Sequence, residues 1–175
     1  MNIKKNMVIW VFIGIFVISS WILFFVSSAK AQQPVDFTDY FYATVVYLSS
    51  SQELTIFQSD VKGVIRDNLE NKKFDNLTSH CLRLARISGG KLSGTTYSKF
   101  TDSDGDYFIT ETISENAPAT VPEASWKFIQ GTGKWKGITG GGIAKFIFMT
   151  RGKQQASPTT FQGNLRMTGT FELLK

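Results

Sequence analysis

The amino-acid sequence predicts an exported all-β domain, a barrel or a sandwich, and three observations carry that expectation. Segments rich in β-branched and aromatic residues recur along the chain with turn residues between them, and no amphipathic helical stretch interrupts them. A glycine-rich run, Gly131 to Gly142, lies inside otherwise strand-like sequence, where glycine marks a turn, a bend or a close backbone approach. A long apolar segment opens the chain and ends in a small-x-small pattern.

That opening segment reads as a targeting signal. Lys4 and Lys5 precede an apolar run from Met7 to Val26, and Ala29-Lys30-Ala31 then offers a signal-peptidase site with cleavage before Gln32. Its length leaves an alternative open. A signal core usually has about 7–15 apolar residues, whereas about 20 can span a bilayer, so an uncleaved anchor with its lysines inside also fits. The expected organisation is therefore a signal peptide or membrane anchor over 1–31 and one domain over 32–175, exported to a periplasmic or secreted location. Membrane contact is expected only if the segment stays uncleaved.

Composition narrows the function. The chain has 175 residues and a formal charge of +5, of which Lys4, Lys5 and Lys30 supply three with no acid among them, leaving +2 for the remainder. That is an ordinary solvated surface rather than a nucleic-acid footprint. Cys81 is the sole cysteine, so no internal disulfide can form, and it reads as a small buried hydrophobe.

Taken in order, Gln32 to Asp39 reads as a lead-in containing Pro34. Tyr40 to Leu48 is a first strand, apolar or aromatic on both faces, so each face needs a cover. Glu53 to Ile65 supplies strand material broken near Gly63. The polar run Arg66 to Asn76 reads as a loop or one short helix. Ser79 to Ile87 is a strand that sets His80, Leu82, Leu84 and Arg86 on one face and Cys81, Arg83, Ala85 and Ile87 on the other. A functional reading makes His80 a general base and Arg83 an anion clamp inside the barrel. No serine, cysteine or carboxylate partner stands at a motif spacing, so the plainer reading leaves His80 near a strand end, hydrogen-bonded or wet.

Leu92 to Thr101 and Tyr107 to Ile113 are two further strands, joined by Asp102-Ser103-Asp104-Gly105-Asp106. Counted from Asp102, glycine falls at position four and Ile113 at position twelve, which fails the EF-hand pattern, so an Asp-Gly turn without metal is expected. Glu115 to Glu123 is a two-proline loop, and Arg151 to Thr160 a second polar loop. In the last strand Leu165, Met167, Phe171 and Leu173 face one way against Arg166, Thr168, Thr170 and Glu172, which predicts a half-buried antiparallel strand.

The glycine run reads as strand, tight turn at Gly131-Thr132-Gly133, then a long strand bent at a barrel corner between Gly137 and Gly142. Gly131, Gly133, Gly137 and Gly141 are its structural residues. No nucleotide fingerprint fits. Gly133-Lys134 is followed by Trp135 rather than a hydroxyl, and Lys136 occupies the third glycine's place in G-x-G-x-x-G.

The run Trp126 to Gly137 resembles the G-G-T-G-[KR]-[FYW] hairpin of dirigent proteins and allene oxide cyclase-like barrels, in the style of their small exported bacterial members. Gln130 departs from it, standing where the family usually has the first of two glycines. The acidic turn Asp102 to Asp106 and the stretch from Phe161-Gln162-Gly163 to Phe171-Glu172-Leu173 fit the same pattern. The resemblance implies an eight-stranded antiparallel barrel, often trimeric, with an apolar interior. No catalytic residue of the plant enzymes matches a position here, so no catalytic residue, cofactor or metal is carried over.

Two classes of function follow. One is a non-catalytic module that holds a small hydrophobic molecule inside the barrel or builds a homo-oligomer, with a trimer expected, through the aromatic face of its first strand. The other is a cyclase- or dirigent-like enzyme that steers a reactive apolar substrate. A lipocalin is a weaker variant of the first, because Gly133-Lys134-Trp135 comes too late for that family's opening G-x-W. Charged groups facing into the barrel favour the enzyme, and a purely apolar interior favours binding or a filled core.

Overall fold

A computed structural model of the chain describes residues 31–120, 122–151 and 159–173. The segment Met7 to Val26, Ala29 and Lys30 lie outside these residues, as does most of the loop from Arg151 to Thr160. The remainder forms β1 (Gln33–Ser50), β2 (Leu54–Asp67), β3 (Thr78–Ser88), β4 (Lys91–Thr101), β5 (Tyr107–Pro118), β6 (Glu123–Gly131), β7 (Ile138–Arg151) and β8 (Thr159–Leu173). Each strand pairs antiparallel with its neighbour in sequence, and β8 pairs back onto β1 to close an eight-stranded barrel. Closure removes the sheet edges that would otherwise leave backbone groups unpaired. At the β1–β8 seam the Arg166 guanidinium grips Asp36 through two bonds of 2.8 and 2.6 Å. Those bonds hold the Asp36 carboxyl below its ordinary range.

Period-two alternation sorts the side chains. On β1, Phe37, Asp39, Phe41, Ala43 and Val45 are buried inside, while Tyr40, Tyr42, Val46 and Leu48 stand exposed outside. On β8, Met167 and Phe171 are buried, and Leu165 and Leu173 pack against the same core.

Several boundaries differ from the sequence reading. The lead-in is strand, with Pro34 opposite Thr170 and Asp39 opposite Ile65. β2 runs unbroken through Gly63, which pairs with Phe41 on one side and Ser79 on the other. Glu115 to Pro118 belong to β5 rather than to a loop. Trp135 is not in a strand. It ends a 3-10 turn, Gly133–Trp135, and is buried. In β7 the register shift falls between Phe146 and Phe148, beyond the glycines. Gly137 has φ +75° and Gly140 φ +119°, but Gly141 and Gly142 serve close packing: a Cβ there would meet the Trp126 and Thr168 carbonyl oxygens at 2.2 and 1.9 Å. Across this flat patch the Trp126 indole reaches from β6 to the Thr168 carbonyl of β8, at 3.2 Å.

One end of the barrel is filled. The β2–β3 connection drops Phe74 and Leu77 into it, and the Phe74 ring lies 5.1–5.8 Å from those of Phe37, Phe108, Trp135 and Phe171. Polar residues shape this plug. The buried Asp67 carboxylate accepts the backbone N–H of Leu69 at 2.9 Å and of Phe74 at 2.8 Å. Asn76, at φ +58°, adopts the left-handed conformation that asparagine tolerates. The polar run from Arg66 to Asn76 therefore conceals one core residue, Phe74, and ends just before a second, Leu77.

The acidic turn fastens the same end. Asp102 accepts the Trp135 indole N–H at 3.0 Å and pairs with Lys134 at 2.8 Å, while the Asp106 carboxylate accepts the Lys134 backbone N–H at 3.0 Å. Burial pushes the Asp102 carboxyl up, but the bonds from Lys134 and Trp135 outweigh it and hold the group below its ordinary range. These aspartates clamp the Gly133–Trp135 turn.

Candidate functional site

The other half of the barrel is hollow. A cavity of about 540 Å³ runs from Asp39 and Phe100 at its floor to Tyr47, Ser50 and Ile87 at its mouth. Of the described connections at this end, β1–β2, β3–β4 and β5–β6 are short turns that carry no counterpart of Phe74.

The cavity has two unlike walls. From β7 round to β1 it is apolar, with Ala144, Phe146, Phe161, Leu165, Met167 and Phe41. From β2 to β5 hydroxyls predominate, including Ser59, Thr96, Ser98, Thr112 and Ser114. The apolar interior implied by the family resemblance is thus only half right.

Besides Tyr47 at the mouth, Asp39, Cys81 and Arg83 bring ionisable groups into this space, and strand parity puts them there. On β3, Cys81 and Arg83 point in while His80 points out. His80 stays on the exterior, 2.9 Å from Asp60, so it takes no part in the site. Cys81 is buried, and burial first, then the charge of Asp39, push its thiol up to about 12. It is a packed thiol, not a thiolate nucleophile.

Asp39 enters from β1. Its carboxylate reaches over Gly63 to the Ser79 hydroxyl, which donates to Oδ1 at 3.0 Å and Oδ2 at 2.9 Å. Glycine is required at 63, because a Cβ there would lie 2.2 Å from Asp39 Oδ1 and 2.8 Å from Ser79 Oγ. Burial raises the Asp39 carboxyl to about 7, with the Ser79 hydrogen bond pulling the other way. Near neutrality this group is therefore poised between acid and carboxylate.

Arg83 lies nearer the mouth, between Ser59 on β2 and Thr96 on β4 in the register. Its Cζ stands 6.0 and 5.9 Å from the ring centres of Phe57 and Phe146. Among the described residues its Nε has no hydrogen-bond partner. Burial lowers its pKa to about 10, which leaves it cationic at neutral pH.

Alternation grouped Arg83 with Cys81, Ala85 and Ile87, and the functional reading that set both Arg83 and His80 inside is right for Arg83 alone. Asp39 was missed, being assigned to the lead-in. Extending the alternation of β1 back through Phe37 and Val35 would have found it. The structural glycines lie at the filled end and along β7: Gly131 closes β6, Gly133 and Gly137 take φ +46° and +75°, and Gly141 packs under Trp126. None of the four lines the cavity. Ala31 and Gln32 precede β1, away from the cavity lining. Among the described residues no cluster of three or more His, Cys, Asp or Glu side chains could hold a metal ion.

Comparison with known proteins bears on the fold. No family model matches the chain. No curated protein matches it. Among solved structures, a protein of unknown function from the DUF3224 family of Shewanella oneidensis MR-1 aligns over 83% of this chain and 99% of its own, with a TM-score of 0.50 and 10% identity. The pterocarpan synthase dirigent protein GePTS1 aligns over 83% and 93%, with a TM-score of 0.48 and 12% identity. The chain has the closed eight-stranded antiparallel barrel expected from its glycine hairpin, and it shares that fold with the DUF3224 protein.

Proposed function

We propose that the protein is a binding module whose barrel holds one small, largely apolar molecule. The observation that carries this reading is the cavity of about 540 Å³ above a fully packed floor, within the range of small-molecule sites. Aromatic and aliphatic side chains supply the contact area, and the hydroxyl wall supplies orientation. The test is saturable binding of the neutral fluorophore N-phenyl-1-naphthylamine. Thr112→Trp fills the cavity from β5 and is expected to abolish that binding in a protein that still melts cooperatively. Undiminished binding in Thr112→Trp would place the probe elsewhere and contradict the reading.

A second reading, an enzyme that steers an apolar substrate, is favoured by the charged groups that face inward. Asp39 could lend a proton to a bound substrate near neutral pH, which a purely apolar interior could not do. We also propose export with cleavage before Gln32, supported by Ala29-Lys30-Ala31; mass measurement of protein from the cell envelope is expected to find Gln32 first. Self-association through the outer face of β1, where Tyr40, Tyr42 and Leu48 are exposed, completes the proposal. Light scattering at micromolar concentration is expected to give a trimer, and a monomer would remove it.

A further inference from the structure

We propose that the molecule held in the barrel is a monoanion with an apolar body, and that its anionic group, a carboxylate, binds Arg83. The inference rests on the reading of the cavity as a ligand site and adds the chemical class of the ligand.

Arg83 carries a charge that the described residues do not neutralise. Among the described residues no carboxylate lies within ion-pair distance of the Arg83 guanidinium, and its Nε is unpartnered. The residues outside the description, 1–30, 121, 152–158 and 174–175, contain neither Asp nor Glu. The Phe57 and Phe146 rings offset part of the burial through their faces. Burying a cation costs more than two such contacts return, so the rings alone leave it under-compensated. Unlike a structural arginine, Arg83 points into open space that a counter-ion can enter.

The surroundings choose the kind of anion. The guanidinium fork matches a carboxylate with two parallel hydrogen bonds, and Ser59 and Thr96 flank it on the neighbouring strands. Among the described residues Arg83 is the sole cationic side chain lining the cavity, and Asp39 at the floor opposes further negative charge, so one negative charge fits and a doubly charged phosphate does not. Opposite stands the apolar wall of Phe41, Phe146, Phe161 and Leu165, which suits a chain or ring system rather than a sugar.

Calorimetric titration of the protein as recovered from expressing cells tests this with matched probes: decanoate against decan-1-ol, and 2-naphthoate against 2-naphthol. The wild type is expected to bind at least one carboxylate tenfold or more tighter than its alcohol. Arg83→Met is expected to erase that preference while leaving alcohol binding in place, and Arg83→Lys to keep part of it. Without ligand, Arg83→Met is expected to melt above the wild type, because it removes an uncompensated charge. Alcohol binding with no carboxylate preference in the wild type, or a preference that survives Arg83→Met, overturns the inference and leaves the cavity reading standing. Failure of all four probes overturns both. An unliganded Arg83→Met protein that melts below the wild type shows that the protein already satisfies the guanidinium, and sinks the premise.

Discussion

The two ends of this barrel are built from the same eight strands and have opposite interiors. At the filled end, Phe37, Phe74, Phe108, Trp135 and Phe171 interlock, and the aspartates around them hold turns in place. At the open end, Asp39 and Arg83 face a cavity, one with a raised and the other with a lowered pKa. The difference teaches that a closed β-barrel does not by itself decide whether its inside is core or site. The connections decide. A barrel of eight strands is just wide enough for side chains to fill, and one inserted loop settles which half is filled. Polar groups serve shape at one end, where they are satisfied by backbone N–H groups. At the other end Asp39 is bonded to Ser79, and among the described residues the Arg83 Nε has no partner.

The sharpest way to break the comparison is to remove the plug. Phe74→Ala is expected to cost about 3–5 kcal/mol in chemical denaturation, because the ring is fully enclosed by other aromatics. A loss below roughly 1 kcal/mol would mean that the filled end is not the seat of stability.

Next in size is the effect of Asp39, which separates a site residue from a stabilising one. Its folded pKa of about 7 lies above its ordinary 3.8, so the folded protein holds a proton that the unfolded chain has released between those values. Its contribution is therefore fully present below about pH 4 and lost as pH rises through about 7, by up to roughly 4 kcal/mol. The other ionisable groups facing it, Cys81 and Arg83, do not titrate in that window. Asp39→Asn is expected to flatten the pH profile of stability and to exceed the wild type at pH 8. A profile unchanged by the substitution would show that Asp39 is not buried in this way.

Between the two ends lies the patch under Trp126. Gly142→Ala is expected to cost about 1–3 kcal/mol, since the added carbon meets backbone oxygen rather than a movable side chain. An unchanged melt would remove the close approach of β7 and β8. Smallest of all, Asp104→Asn is expected to change stability by less than about 1 kcal/mol, because its 3.4 Å pair with Lys134 is exposed. Melting that depends on calcium would instead give the acidic turn a metal.

What could be read in the sequence follows from what alternation can carry. It placed Cys81 and Arg83 on one face of β3 and His80 on the other, and it identified the buried face of β8, because period two is a local property. It could not show which half of the interior would be filled. Phe74 and Leu77 sit in and beside a polar run whose purpose is visible only when Asp67 is seen binding the Phe74 N–H. Trp135 read as a strand residue because it follows the tight turn at Gly131-Thr132-Gly133, and only the clamp from Asp102 reveals a 3-10 turn there. Gly63 resembled a break, but its missing side chain makes room for the Asp39–Ser79 contact between strands far apart in sequence. Non-local fits of this kind leave no periodic trace.

The division into a stabilising end and a binding end is tested most directly by measuring two properties in two variants. Phe74→Ala and Thr112→Trp would each be assayed for chemical stability and for affinity towards the neutral fluorophore, under conditions where both remain folded. The expected result is a crossed pattern. Phe74→Ala loses about 3–5 kcal/mol of stability yet binds within a few-fold of the wild type, while Thr112→Trp keeps its fold and loses the probe. If both variants lose stability and affinity together, the barrel interior is a single unit and the division into two ends is wrong.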